Sequence, residues 1–269
     1  MSIILSASHV DRKRGGVESD IMGLSGAALE RLDEIDPDRL SAARFAPVAD
    51  REALILLYAF HAELTRIPES VTEPLIGQIR YQWWRDFIEA IYEKGNVPLH
   101  DVGYPLAGLI QKRALPRFWF DKLIDGRERD LDPQPLDGIE EARAYARNTS
   151  VTLMQIAAAV LGEDAEDVVQ AAGEAWGLMS LARSWRYHKN SLLNSTTEDE
   201  LRHAAMSRIR ETGKVSAAIL PAVAYAALVP LYAKAMARSD YDPAKSEAEI
   251  SPIRKRSRLF RTALTGRLT

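Results

Sequence analysis

The side chains that could do chemistry in this chain are few. Segment 58–70 (YAFHAELTRIPES) offers Tyr58, His61, Thr65, Arg66 and Glu69, and segment 173–190 (GEAWGLMSLARSWRYHKN) offers Arg183, Ser184 and His188. An imidazole titrates near neutrality, so His61 and His188 read as ligands, as general bases, or as occupants of a partly polar interior. Glu69 is a lone carboxylate just past Pro68 and reads as a solvated acid beyond a helix end. The chain has no cysteine, which excludes disulfides, thiolate metal sites and a cysteine nucleophile. No two of its five histidines fall at i, i+3 or i, i+4, so a zinc site has little support. Arg66 and Arg183 could each grip a phosphate in a bidentate contact without metal. The competing role is neutralisation of buried acids such as Glu63 or Glu174.

Helical periodicity dominates the elements that would position these groups, and no alternating strand stands out. Residues 50–66 form an almost wholly apolar helix, which belongs at the centre of a fold. Residues 72–94 repeat apolar positions at Leu75, Ile76, Ile79, Trp83, Phe87, Ile88 and Ile91, a stripe that predicts a helix with Trp83 in the core. Two shorter helices are expected over 102–125, split at Pro116, followed by a loop at 126–138 (GRERDLDPQPLDG). Further helices are expected from Ile139 to a stop at Gly162, over 164–188, over 197–212, and as one long helix over 215–237. Short connections without a linker imply a single all-α domain.

The first segment resembles the first motif of the squalene/phytoene synthase family, which reads Tyr-Ala-Phe-Cys-Arg, two free positions, Asp-Asp, two free positions, Asp. Tyr58, Ala59 and Phe60 match, His61 replaces Cys and Ala62 replaces Arg. Thr65 and Arg66 stand at the adjacent Asp positions, and Glu69 at the last. The second segment resembles the family's second motif at Gly173, Ala175, Leu178 and Arg183, with Ser184 and Tyr187-His188 replacing its acids. Arg51 stands at the family's usual Arg ahead of the Tyr-Ala-Phe helix. The loop ahead of Tyr145 (126–145) resembles the one before the family's conserved Tyr, with Asn148-Thr149-Ser150 in place of the usual Val-Ala-Gly, while IRYQWWRD (79–86) and the basic stretch 251–267 resemble a divergent branch related to a respiratory complex I assembly factor.

The resemblance implies the isoprenoid synthase fold, an all-α bundle around a central cavity. Residues 1–37 would be an N-terminal extension, 38–249 the synthase-like domain and 250–269 a basic C-terminal tail. In the family, carboxylates three or four apart share a helix face and hold the magnesium that grips a prenyl diphosphate. With those acids replaced, the expected protein is non-catalytic, an accessory or assembly factor that needs no cofactor. It would bind a protein partner, or a prenyl or lipid chain in a retained apolar cavity. The alternative is an active prenyltransferase that joins two prenyl diphosphates head to head with magnesium. The ligand-facing set is Arg51, Tyr58, His61, Thr65, Arg66, Glu69, Arg183, Ser184 and His188, with no catalytic residue and no metal ligand. Arg80, beside the tryptophans, reads as a diphosphate clamp or a structural ion pair.

Charge is unevenly spread. The last twenty residues carry six Lys/Arg and no acid, against 29 basic and 38 acidic residues elsewhere. The spacing of Leu259, Phe260, Ala263 and Leu264 among arginines predicts an amphipathic helix with salt-sensitive contact to an anionic membrane. Nucleic acid is not an expected partner. No apolar run is long enough to span a bilayer, and charges that follow the apolar N-terminal residues are the reverse of a secretory signal. The expected location is cytoplasmic, with peripheral membrane contact through the tail.

Overall fold

A computed structural model describes residues 23–188, 192–193, 195–246 and 248–269. The expectations placed on residues 1–22 lie outside this set. The described residues form an α-helical bundle without strands. Ser25 caps α1 (Gly26–Ile35), its Oγ accepting from the Ala28 N–H at 3.1 Å. Asp36 caps α2 (Pro37–Ala43) in the same way through the Arg39 N–H, and Pro37 sits where its missing N–H has no intrahelical partner to lose. Next, α3 (Val48–Arg66) runs through the centre, with every residue from Ala53 to Ala62 buried. A helix sealed all round must be surrounded by others, and α1, α2 and the later helices supply that cover.

The outer layer on one side is α4 (Pro74–Tyr92), α5 (Gly103–Arg113) and α6 (Arg117–Glu128). Here the expected stripe is only half right. Phe87, Ile88 and Ile91 are buried, but Leu75, Ile76, Ile79 and Trp83 face out, and Trp84 takes the core place expected of Trp83. The reason is polar as well as apolar. The Tyr81 hydroxyl lies 3.0 Å from the carbonyl oxygens of both Leu64 and Arg127, serving backbone acceptors near the ends of α3 and α6. Tyr81 therefore turns inward, and Trp84, one turn on, follows it. The expected loop at 126–138 also begins late, because α6 continues to Glu128 and a 3₁₀ turn covers Arg129–Leu131.

The next helix is continuous but changes pitch. α7 (Gly138–Ala146) passes through a π-helical turn at Arg147–Val151 into α8 (Thr152–Val160). Against that turn lies α9 (Glu166–Arg183), which approaches through Gly173 and Gly177, four residues apart on one face. A Cβ at Gly173 would stand 2.8 Å from Val151 Cα. We expect Gly173→Ala to destabilise the protein by about 1–3 kcal/mol through overpacking. In an open helix the same change would stabilise by up to about 1 kcal/mol, so the sign of the shift in a urea melt tests the contact.

After a break at Ser184 come α10 (Trp185–His188) and α11 (Glu198–Ile209), the latter opened by a capping box between Thr197 and Glu200. The single long helix expected over 215–237 is instead α12 (Leu220–Val223), a 3₁₀ stretch at Ala224–Leu228, and α13 (Val229–Met236). Pro221 and Pro230 each stand near the start of a new segment, where the lost donor is tolerated. The amphipathic helix expected in the basic region is α14 (Pro252–Thr265). It is docked on the body rather than free: Leu259 and Thr262 are buried, Arg258 donates to the Ala227 and Leu268 carbonyls, and Lys255 Nζ pairs with Asp38 at 2.8 Å. Among the described residues, no helix is long and apolar enough to cross a membrane.

Candidate functional site

The last turns of α3 serve two concave regions. His61, Thr65 and Glu69, spaced by four, line a cavity of about 330 Å³ on one side. Glu63, Arg66, Ile67 and Ser70 face a second pocket of about 290 Å³ on the other. The helical period thus separates the two adjacent motif positions: Thr65 enters the cavity and Arg66 turns away from it.

Opposite α3, the second segment brings Arg183 and Ser184 to the same cavity, along with Gly177 and Ser180. Five of the expected site residues therefore meet: His61, Thr65, Glu69, Arg183 and Ser184. Tyr58 does not join them, being fully buried with its ring 6.4 Å from that of Tyr225. Arg51 donates to the Ala46 carbonyl at 3.1 Å and lies off the cavity wall. His188 ends α10, and its side chain lies outside the described set.

The wall holds groups that sequence reasoning missed: Asp36, Arg39, Arg127, Asp130, Tyr145 and Trp176. Arg39 pairs with Asp36 and stacks over the rings of Tyr225 at 4.8 Å and Trp176 at 5.8 Å. Arg127 pairs with Asp130 at 2.9 Å and donates to the Tyr145 hydroxyl at 2.7 Å, while that hydroxyl donates to Asp130 at 2.5 Å. Burial opposes both guanidinium charges, but the adjacent carboxylates outweigh it and hold them ionised. Arg183 stacks on the Tyr232 ring at 3.9 Å and lies 3.8 Å from Asp38. Thr149 and Ser150 reach the cavity from the π-helical turn. The one signal that could have found these pairs is their i, i+3 spacing, Asp36 with Arg39 and Arg127 with Asp130.

The expected apolar cavity is therefore of mixed character. Ile35, Pro68, Trp176, Leu181 and Leu192 supply apolar surface among three arginines and three acids. Thr65 and Ser184 stand at first-acid positions of the two motifs, and their hydroxyls donate to their own helices, Thr65 Oγ1 to the His61 carbonyl at 2.9 Å and Ser184 Oγ to the Ser180 carbonyl at 3.0 Å. Among the described residues, no group of three or more His, Cys, Asp or Glu is placed to hold a metal ion.

His61 is neutral by construction. Burial, then the charges of Arg39 and Arg127, push its pKa well below the usual imidazole range, and its buried Nδ1 has no hydrogen-bond partner. In the unfolded chain the imidazole titrates near about 6.5. Below that pH the unfolded state takes a proton that the native state refuses, so stability falls with falling pH. His61→Gln should flatten the decline between pH 7 and pH 5 by up to about 1.4 kcal/mol per pH unit. Urea unfolding at pH 5, 6 and 7 measures this; an unchanged slope would contradict the buried neutral imidazole.

The squalene/phytoene synthase family model matches residues 32–208, which contain the whole cavity wall from Ile35 to Leu192. The chain belongs to the squalene/phytoene synthase family. Within that family it falls in a divergent branch. It is 32% identical over 173 residues to NADH dehydrogenase (ubiquinone) complex I, assembly factor 6 of Bos taurus, covering 62% of this chain and 52% of that protein. The Homo sapiens protein of the same name is 31% identical over 169 residues, covering 62% and 50%. A Dictyostelium discoideum homolog is 29% identical over 180 residues, covering 63% and 50%. The chain spans about half the length of the curated relatives it matches. The crystal structure of squalene synthase HpnC from Alicyclobacillus acidocaldarius superposes with a TM-score of 0.55 at 13% identity, covering 91% of this chain and 98% of that one. That likeness places this family member in the isoprenoid synthase fold.

Proposed function

We propose that this chain is a non-catalytic member of its family that works as an assembly factor, through contact with a protein partner belonging to the respiratory NADH dehydrogenase complex. The observation that carries the proposal is the donor set at the motif positions. Thr65 and Ser184 offer hydroxyls already turned to helix carbonyls, Arg66 faces away, and Glu69 is the one carboxylate among the described motif positions.

Magnesium asks for several hard oxygen ligands in near-octahedral array. Asp36 and Asp130, the other acids on the wall, are each held by an arginine. Among the described residues, those present do not fit a magnesium cluster. The names of the relatives, each matched over about half its length, supply the partner class.

The test is genetic and direct. Cells of the source organism lacking this chain should show reduced assembled complex I on native gels, restored by the full chain. Unchanged complex I in those cells would overturn the proposal.

A further inference from the structure

Beside the cavity, α4 carries an apolar face that the bundle leaves uncovered. Leu75, Ile76, Ile79 and Trp83 are 63%, 42%, 61% and 37% exposed, at i, i+1, i+4 and i+8, along about 12 Å of helix. The face runs into the second pocket of about 290 Å³, where Trp84 and Ile67 are buried and Glu63, Arg66, Ser70, Arg80, Trp83 and His100 complete the lining. The Trp83 ring packs 4.9 Å from Trp84 and 5.3 Å from His100, so the wall is ordered by its own contacts.

The two cations at this pocket are under-used. Among the described residues, Arg80 has no carboxylate within ion-pair distance, and its hydrogen bond goes to Ser70 Oγ at 2.6 Å. Arg66 approaches Glu63 at 4.0 Å, but that carboxylate oxygen already accepts from Arg31 Nε at 2.9 Å. His100 accepts at Nδ1 from the Val102 and Gly103 N–H groups, which leaves its Nε2 as a donor. Donors and positive charge therefore converge on a small pocket at one end of an apolar stripe.

We propose that this surface docks an amphipathic segment of a protein partner, with apolar side chains laid along Leu75, Ile76 and Ile79 and a carboxylate received by Arg66 and Arg80. Tryptophan and arginine are the residue types that most often carry interface energy, and a pocket that admits one side chain gives the contact a centre. A helix-in-groove mode uses the same i, i+3/i+4 spacing of anchors. Charge argues against an anionic bilayer as the occupant: exposed Glu73 and Asp86 bracket the stripe at its two ends and would face the headgroups. The proposal names the surface for the protein contact proposed above and rests on that contact.

The experiment places a photo-crosslinking benzoylphenylalanine at Ile79 of the full chain, expressed in cells of the source organism that lack the native copy. The expected adduct maps to an apolar protein segment carrying Asp or Glu. Its yield should drop about tenfold or more with Arg66→Glu/Arg80→Glu and hold with Arg66→Lys/Arg80→Lys. Reversing the mapped acid to Lys should restore the adduct to the charge-reversed chain. Absence of a protein adduct, or one indifferent to charge reversal, overturns the proposal. So does binding to phosphatidylglycerol vesicles that is lost on the same reversal, which would make the face a membrane contact. Complex I levels separate the two claims. If the full chain restores the complex and Ile79→Glu/Arg80→Glu restores it equally, the surface is wrong and the assembly function stands. If the complex is indifferent to the chain altogether, the assembly function falls and the crosslink alone judges the surface.

Discussion

Replacing Glu174 with alanine is expected to destabilise the protein by about 3 kcal/mol, the lower end of the range for breaking a buried ion pair by removing one partner. Glu174 is 3% exposed in the middle of α9. Its carboxylate receives Arg143 at 2.9 Å from α7, Arg147 at 3.6 Å from the π-helical turn and Arg208 at 3.4 Å from α11. One anion thus ties four helical segments, and its loss leaves three guanidinium groups facing one another around a vacant space. The lower figure applies because those arginines reach solvent and can partly rehydrate. Urea unfolding at neutral pH measures the effect. A loss below about 1 kcal/mol, the scale of an exposed pair, would show that Glu174 is not the structural tie proposed.

Asp38→Ala is expected to cost a similar amount, about 3 kcal/mol, but with a different signature. Asp38 is 4% exposed, accepts from the Tyr232 hydroxyl at 2.5 Å and pairs with Lys255 at 2.8 Å and Arg183 at 3.8 Å. It therefore joins α2, α9 and α13 to α14. The arginine that stacks on Tyr232 also lines the cavity, so the change should loosen the cavity wall and the basic helix together. Hydrogen exchange should show amides of 252–265 losing protection before those of α3. If α14 kept its protection while global stability fell, its docking would depend on Leu259, Thr262 and Arg258 rather than on Asp38.

The central helix and the order of the bundle were legible because Ala53–Ala62 offers no polar face and must be surrounded. Arg66 and Arg183 were both expected to face the cavity from the two motifs; Arg183 lines it, whereas Arg66 turns into the neighbouring pocket. The neutralisation of Glu174 was foreseen as a need, but its partners are Arg143, Arg147 and Arg208, which only the tertiary fold brings together. Trp83 was misplaced because α4 has apolar residues on more than one side. What decides its orientation is a tyrosine hydroxyl reaching two carbonyls from other helices, a contact that periodicity does not register. The chain at 126–131 reads as loop by composition, yet Arg127 and Asp130 pair across one turn and build the cavity wall with Tyr145. The charged character of that wall was hidden for the same reason. Arg39, Arg127 and Arg183 are far apart in sequence and meet only across the bundle.

On the proposed reading, a synthase fold here surrounds a cavity without synthase chemistry. The most direct measurement is diphosphate release from farnesyl or geranylgeranyl diphosphate incubated with the purified full chain and magnesium. The account predicts release no faster than in the protein-free control and no hydrocarbon product. Magnesium-dependent release accompanied by a head-to-head hydrocarbon would contradict it.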